Sequence, residues 1–410
     1  MSCFKPYLCL AAKKGGGIFQ SLRALENHHR STKGMVIIMK IIVPEVQYGF
    51  VNQPRDNFFK HSAWPSVCKD ERGVLYAGAS SMRLSHVDPC GKNCMFMSYN
   101  GGSTWTPPII VNDSYGDDRD VGLCYMGGGK LLMSWFTSAP SNYMQEITEY
   151  DFYGEAAHEI LCGWIEGWKK LEPEEYAKLD AYYVKVSEDY GVTWSEPIKI
   201  PVTCPHGPSL CKDGSLVFMG KQYFDSEKAI KVYTSRDNGY TWEYTSTVKP
   251  SPDITNDNMH EPHVIELPGG RLLGAIRVHG RSVSPESTVY TTYSDDKGKT
   301  WSEPVCTGVD GLPPQLMVHS SGAVICSYCC RTAGHRSQRA AVSYDNGETW
   351  TEDYVLDHRV CGYPDMGYPC SVELEDGAIL TVYYQPHPEK KHPCIQYAKW
   401  RLGYQELLGY

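Results

Sequence analysis

The sequence predicts an all-β fold, a six-bladed β-propeller with a small helical insertion in its second blade. Two repeated patterns carry this prediction: a phrase ending in Thr-Trp occurs five times, and a hairpin turn that contains glycine occurs six times. A third observation places the insertion, because acidic and apolar residues follow helical spacing at about residues 139–179. Short strands and turns at a regular repeat are typical of propellers.

The five phrases share the form Ser-x-Asp/Asn-x-Gly-x-Thr-Trp. The acidic or amide side chain can accept backbone N–H groups, the glycine can adopt a positive φ, and the tryptophan begins the next strand. We therefore interpret these residues as structural turns rather than as a calcium loop or an active site. The phrases occupy residues 98–105, 187–194, 235–242, 294–301 and 343–350.

The six hairpin turns define six repeating units. Each unit supplies an inner hairpin, a connecting strand and an outer strand, which together make one four-stranded blade. The sixth unit lacks the Thr-Trp phrase, and a strand near Ile41 to Phe50 is expected to complete it and close the ring. The turns lie at residues 70–73, 127–129, 212–214, 268–270, 320–322 and 375–377.

Residues 39–410 are predicted to form this single propeller. Residues 1–38 carry scattered charge and one short apolar run, so we interpret them as a disordered leader or a mis-assigned start rather than a secretory signal. No apolar run reaches the length of a membrane span, and the expected location is the cytoplasm. The insertion at about 139–179 is expected to pack on the surface rather than act as a substrate lid.

Composition limits the function classes. Acidic residues outnumber Lys and Arg by 48 to 39, which gives a net charge of −9, whereas binding to a phosphate backbone requires a clustered basic surface. Nucleic acid is therefore not an expected partner. The single CxxC motif, Cys326 to Cys329, is not accompanied by a second one or by spaced histidines, so no metal site and no cofactor are predicted.

The hairpin register brings ionisable side chains to one rim of the central channel. Glu261 and Arg277 lie eight residues before and after Gly269, so a carboxylate and a guanidinium are expected at the same rim. Such a rim is a candidate substrate pocket, to which Trp64 and His206 also contribute. The same count from the other turns reaches Trp64, Arg119 or Asp120, His206, about Leu312, Arg331 and Tyr368.

These segments resemble the sialidase (neuraminidase) family, the Asp-box or BNR-repeat six-bladed propellers that hydrolyse terminal sialic acids, of the kind found in glycoside hydrolase family 33. The resemblance covers about residues 50–402. It rests on the five phrases and on the hairpin HEPHVIELPGGRLLGAIR, which is similar to the family's Glu-to-Arg hairpin. The resemblance implies a sialylated or acidic oligosaccharide as substrate, with no membrane partner.

The resemblance implies roles for five residues. Tyr368, in MGYPCSVELEDG, matches the nucleophilic tyrosine, and Glu261 matches the general base. Arg277 and Arg331 match two of the three arginines that bind the substrate carboxylate. Asp88, in RLSHVDP, matches the acid/base aspartate.

One family residue has no match in this chain. Where the family has Arg-Ile-Pro, the sequence reads Ala63-Trp-Pro, so the first carboxylate-binding arginine is missing. Arg119, or Arg83 near Asp88, is expected to replace it. If Arg119 does so, its side chain enters the channel and the neighbouring aspartates fix its orientation. The alternative is that Arg119 pairs entirely with Asp117 or Asp120 and braces the rim without contacting substrate.

Three functional interpretations follow. The favoured one is a retaining exo-glycosidase for a terminal sialic acid or related 2-keto sugar acid, because a neutral tyrosine approaches the sugar carboxylate without the repulsion that a charged nucleophile would meet. The second is a glycosidase or lyase that acts on uronate-containing glycans through His206 and Tyr368. The third is a non-catalytic glycan-binding propeller, because the repeat alone implies no chemistry.

Overall fold

The computed structural model confirms the six-bladed propeller. It describes residues 29–30, 36–37, 39–53, 59–88, 91–143, 155–224, 226–280, 283, 286–359, 365–390 and 392–403. The predicted leader, residues 1–38, lies outside the described residues except for two short paired strands, β1 (His29–Arg30) and β2 (Val36–Ile37). Two further strands precede the first blade: β3 (Lys40–Ile42) and β4 (Gln47–Asn52).

The first three blades follow in chain order. Blade 1 contains β5 His61–Lys69, β6 Leu75–Arg83, β7 Lys92–Ser98 and β8 Ile109–Asn112. Blade 2 contains β9 Asp117–Gly127, β10 Lys130–Ser138, β11 Ala181–Ser187 and β12 Ile198–Ile200. Blade 3 contains β13 Ser209–Leu210, β14 Leu216–Lys221, β15 Ile230–Ser235 and β16 Glu243–Val248.

The last three blades repeat the same antiparallel order. Blade 4 contains β17 Met259–Glu266, β18 Leu272–His279, β19 Ser287–Ser294 and β20 Val305–Asp310. Blade 5 contains β21 Leu312–Val318, β22 Val324–Cys330, β23 Ser337–Ser343 and β24 Glu352–Asp357. Blade 6 contains β25 Gly367–Glu373, β26 Ile379–Pro386 and β27 Pro393–Trp400. The first strand of each blade lies innermost, and neighbouring inner strands contact one another around the ring.

The N-terminal segment closes the ring, as the sequence predicted. Strand β4 pairs antiparallel with β27 and becomes the outer strand of blade 6. The preceding strand β3 pairs in parallel with β24 instead and adds a fifth strand to blade 5. Pro44 separates the two strands, and proline cannot donate to a ladder, so the expected single strand is divided between two blades.

The helical insertion lies between β10 and β11 of blade 2. It contains a 3₁₀ turn (Pro140–Tyr143), α1 (Glu155–Trp168) and α2 (Pro173–Tyr176), and α2 begins with proline at the position where a missing N–H costs nothing. A cavity of about 1030 Å³ separates the insertion from the outer strands of blade 2. Among the described residues, no helix combines the length and the apolar character that crossing a membrane requires.

The repeated Thr-Trp phrases form self-contained turns. In blade 2 the Thr193 backbone N–H donates to Asp189 Oδ1 at 2.8 Å, and the Gly191 N–H donates to Ser187 Oγ at 2.8 Å. Trp194 Nε1 donates to the Gly191 carbonyl at 3.2 Å. The first two bonds recur in the other four phrases, which confirms that the repeated residues have a structural role.

Candidate active site

The inner strands of five blades bulge near their first residues. At each bulge two residues of the inner strand oppose one residue of the next strand, and in four of the five bulges the second residue is proline. Because proline has no N–H, it interrupts the ladder at this position. The bulges lie at Trp64-Pro65, Asp120-Val121, Glu261-Pro262, Pro313-Pro314 and Tyr368-Pro369.

Four of these bulges hold a non-glycine residue in the left-handed region. The φ angles are 52° at Trp64, 60° at Asp120, 38° at Glu261 and 53° at Tyr368. Such a conformation costs roughly 1–3 kcal/mol per residue and is concentrated at functional sites. Here all four side chains line one cavity of about 340 Å³ at the same end of the inner strands.

The centre of this pocket is a chain of three side chains. Tyr368 Oη donates a hydrogen bond to Glu261 Oε1 at 2.5 Å, and Arg277 Nη1 donates to Glu261 Oε2 at 2.5 Å. The carboxylate is therefore held from both sides. The three residues come from blades 4 and 6, so the central channel brings them together.

Their surroundings separate the protonation states of Tyr368 and Glu261. Burial, followed by the negative charges of Glu261 and Asp120, raises the pKa of Tyr368 well above its usual value. Burial opposes ionisation of Glu261, but the Arg277 charge and the Tyr368 hydrogen bond outweigh it and lower the pKa of Glu261. The pair thus consists of a neutral phenol beside an ionised carboxylate, which is the arrangement that a nucleophile with its base requires.

Asp120 is the second carboxylate of the pocket. Burial and then the charge of Glu261 raise the pKa of Asp120 to about 7, and Asp117 acts in the same direction. Arg119 and Arg83 oppose this shift. Two carboxylates with pKa values moved apart in one pocket are typical of an acid and base pair.

Arg119 lines the pocket and is also ion-paired. Its Nε lies 3.3 Å from Asp117 Oδ2, and its guanidinium carbon lies 5.3 Å from the Trp64 ring centroid and 5.1 Å from that of Phe136. Arg83 is fully buried and pairs with Asp117 Oδ1 at 2.7 Å. Of the two arginines considered as replacements for the missing one, Arg119 therefore lies in the pocket and Arg83 lies behind it.

Arg331 lies just outside the lining of the pocket. Its Nε donates to the Met366 carbonyl at 2.9 Å, and its guanidinium carbon is 6.0 Å from the centroid of the Tyr368 ring. The Arg331 charge thus stands next to the predicted nucleophile. Its backbone contact fixes the direction of the side chain.

Asp88 does not line this pocket. Its side chain is 1% exposed, and Oδ2 accepts the Leu84 N–H at 2.6 Å within the turn after β6. The sequence placed this aspartate beside the substrate because it follows the first hairpin at the family's distance. In the structure, however, the Asp88 carboxylate accepts a backbone hydrogen bond within this turn.

His206 also lies away from the pocket. It lines a second cavity of about 490 Å³, which is bordered by the last residues of the inner strands and thus lies at their other end. The His206 ring stands 5.7 Å from that of His263, and burial followed by the His263 charge lowers the pKa of His206 well below its usual value. His206 therefore does not share a rim with Tyr368, and the inner strand of blade 3 is short and begins only at Ser209.

Comparisons with known proteins agree with this architecture. Residues 160–382, more than half of the sequence, match the family of BNR repeat-like domains. The chain belongs to this family. No curated protein sequence matches the chain significantly.

Solved structures share the fold of this BNR repeat-like domain at low identity. A protein of unknown function from Dyadobacter fermentans has a TM-score of 0.68 at 22% identity, over 88% of this chain and all of its own. The NanB sialidase from Streptococcus pneumoniae has a TM-score of 0.63 at 15% identity, over 87% and 70%. An α-L-arabinanase from Penicillium chrysogenum has a TM-score of 0.55 at 14% identity, over 87% of this chain and 99% of its own.

Sequence reasoning missed part of the pocket wall of this BNR repeat-like domain. Phe136 comes from the second strand of blade 2, where it pairs with Arg119 just before the bulge, and it could have been found by counting forward from the turn as for Arg277. His86 and Phe224 come from turns, for which the hairpin register has no predictive value. The complete lining is Trp64, His86, Arg119, Asp120, Phe136, Ser138, Tyr223, Phe224, His260, Glu261, Arg277 and Tyr368.

The coupling between the two pocket carboxylates is testable without a substrate. In a Glu261→Gln variant the pKa of Asp120 should fall below about 7, because the charge of Glu261 raises it. Carbon-13 NMR titration of labelled aspartate carboxyl groups measures this shift. Glu266→Gln, at the other end of the inner strand, is the matched control and should leave the Asp120 titration in place. An unchanged Asp120 pKa in Glu261→Gln would show that burial alone causes the shift.

Proposed function

We propose that the protein is a retaining exo-glycosidase that removes a terminal sialic acid or a related 2-keto sugar acid from an oligosaccharide. The observation that carries the proposal is the hydrogen bond from Tyr368 to the Glu261 carboxylate, which Arg277 fixes from the other side. A buried tyrosine paired with an ionised base is an activated nucleophile. The sialidase among the proteins of similar fold supports the same class of reaction.

Size and charge of the pocket support an anionic sugar. A cavity of about 340 Å³ accommodates a single sugar ring at the low end of the range for ligand pockets. Arg119 and Arg277 line it, and Arg331 stands behind Tyr368. The Arg277 side chain remains 17% exposed beside its contact with Glu261, so it can contact a substrate carboxylate from the pocket.

The first half of the reaction forms a bond between Tyr368 and the sugar. Tyr368 Oη attacks the anomeric carbon while its proton passes to Glu261 Oε1, and a general acid protonates the departing glycosidic oxygen. The phenol avoids the repulsion that a carboxylate nucleophile would meet beside the sugar's own carboxylate. The arginines hold that carboxylate in place as positive charge develops on the ring.

The second half returns the enzyme to its starting state. The deprotonated general acid takes a proton from water, and the water oxygen attacks the anomeric carbon. Tyr368 leaves and regains its proton from Glu261. Two displacements at one carbon give net retention.

We assign the general acid to Asp120. It lines the pocket, and its pKa of about 7 keeps it largely protonated in mildly acidic solution, whereas Glu261 beside it is ionised. Asp88 remains the residue that the family resemblance favours, but its carboxylate accepts a backbone N–H in a buried turn. Uronate chemistry through His206 has less support, because His206 lies at the other cavity.

Tyr368→Phe tests the nucleophile. The variant should lose at least about 10³-fold in kcat, because the attacking oxygen is gone while the ring still packs against Trp64. Binding of an unsaturated sialic acid analogue, measured by calorimetry, should survive. A fluorinated sialosyl fluoride should label Tyr368 in the wild-type protein, detected by peptide mass spectrometry. Near wild-type turnover, or labelling elsewhere, would refute the covalent mechanism.

Asp120→Asn and Asp88→Asn form a matched pair. Asp120→Asn should lower kcat/KM for sialyllactose by about 10²–10⁴-fold but affect a nitrophenyl sialoside much less, since that leaving group needs little protonation. In the wild type, kcat/KM should decline as pH rises through about 7, where Asp120 loses its proton. If Asp88→Asn shows this dependence on the leaving group and Asp120→Asn has wild-type kcat/KM, then Asp88 is the general acid.

Arg277→Ala tests the anionic substrate. Losing one charged hydrogen bond should reduce kcat/KM for a sialoside by about 10- to 100-fold. Arg277 also fixes Glu261, so its loss could act without any substrate carboxylate. The change in kcat/KM is therefore also measured on a substrate whose carboxylate is replaced by an amide, and on arabinobiose. Arg331→Ala, which leaves the Glu261 contact intact, should discriminate between acid and amide. Equal losses on both substrates in Arg331→Ala would argue against a carboxylate clamp.

A further inference from the structure

Three side chains from separate elements converge behind the Trp64 wall of the pocket. His61 begins β5, His86 lies in the turn after β6, and Asp365 precedes β25. His61 Nε2 is 3.0 Å from Asp365 Oδ2, and His86 Nδ1 is 3.0 Å from Asp365 Oδ1. One donor atom of each residue lies within 4.8 Å of the other two.

We propose that His61, His86 and Asp365 bind a divalent transition metal ion such as Zn²⁺ at the edge of the pocket. Two imidazoles and one carboxylate are ligands that such an ion prefers, and a set of three leaves at least one coordination position open. The proposal goes beyond the glycosidase chemistry above, which uses no metal.

The spacing of the donors suits an ion of this size. Zinc lies roughly 2.0–2.2 Å from nitrogen and oxygen ligands, so tetrahedral neighbours are about 3.3 Å apart. Both nitrogen-to-oxygen distances are 3.0 Å. Because the side chain of His86 is 48% exposed, small rotations of its ring can bring its nitrogen into place.

The charge of Asp365 supports a cation here. The residue is 9% exposed, and among the described residues no lysine or arginine forms an ion pair with it. Arg83, the guanidinium whose charge acts on His61, is ion-paired with Asp117. A buried carboxylate requires a compensating positive charge, which a bound ion would supply.

Neighbouring side chains orient the three candidate ligands, as residues around the ligands do in known metal sites. Tyr384 Oη donates to Asp365 Oδ1 at 2.9 Å, which orients the carboxylate. The Trp64 ring lies 4.9 Å from that of His86 and 6.0 Å from that of His61. His86 itself lines the pocket, so the open coordination position is accessible to a ligand oxygen from that side.

The alternative is that His61 and His86 contact Asp365 directly without an ion, and a metal titration distinguishes this arrangement from a metal site. The EDTA-treated full-length protein is titrated with Zn²⁺ by calorimetry at pH 7.5, and with Co²⁺ by visible absorption. Wild type should bind one ion. The His86→Gln and Asp365→Asn variants should bind it at least about 100-fold more weakly. Tyr384→Phe should weaken binding about 10- to 100-fold.

His358→Gln is the matched control, since it removes an exposed histidine outside the cluster and should bind like wild type. Thermal unfolding without metal checks that each variant folds. If Asp365→Asn does not fold, the exposed His86→Gln variant alone serves as the test. Equal affinity in wild type and His86→Gln would place the ion elsewhere and overturn the proposal. Absence of binding to wild type would also overturn it and favour direct contacts between the histidines and Asp365. Neither result depends on glycosidase activity.

Discussion

The candidate site depends on one backbone constraint, the bulge near the start of the inner strands. A proline that cannot donate to the ladder, or in blade 2 a valine, follows a residue in the left-handed region. Trp64, Asp120, Glu261 and Tyr368 all stand at this position and all line the same cavity. A regular strand would direct alternate side chains into the blade interfaces. The strained backbone conformation of these four residues therefore directs their side chains toward the axis of the central channel.

The charges of the pocket are organised around Glu261. Arg277 and Tyr368 lower the pKa of this carboxylate despite its burial, whereas burial and then the Glu261 charge raise the pKa of Asp120. Burial and proximity thus separate the pKa values of two similar side chains. Arg119 does not neutralise Asp120 completely, because it also pairs with Asp117. The same pocket therefore holds two arginines and one carboxyl group whose pKa is raised to about 7.

The rest of the propeller keeps these groups in place without taking part in the chemistry. The Thr-Trp turns satisfy their own hydrogen bonds and leave the inner strands unaffected. Strand β4 of the N-terminal segment pairs with β27 and forms the outer strand of blade 6, whose inner strand β25 carries Tyr368. The ring is closed within this blade. Behind Trp64, contacts between His61, His86 and Asp365 link blade 1 to the segment before β25. The inner strand β5 of blade 1 also packs against β25, β26 and β27 of blade 6.

The number of blades, the structural role of the Thr-Trp turns and the approach of Glu261, Arg277 and Tyr368 follow from the repeats, because turns and strand register are local and recur along the chain. Strand register does not predict contacts between distant segments, which depend on the folded ring. Tertiary structure placed Asp88 in a closed turn, sent His206 to the other cavity and assigned Arg119 and Asp120 separate positions at a bulge without proline. It also brought His61 and His86 to Asp365, 304 and 279 residues away, because only closing the ring joins the first blade to the last.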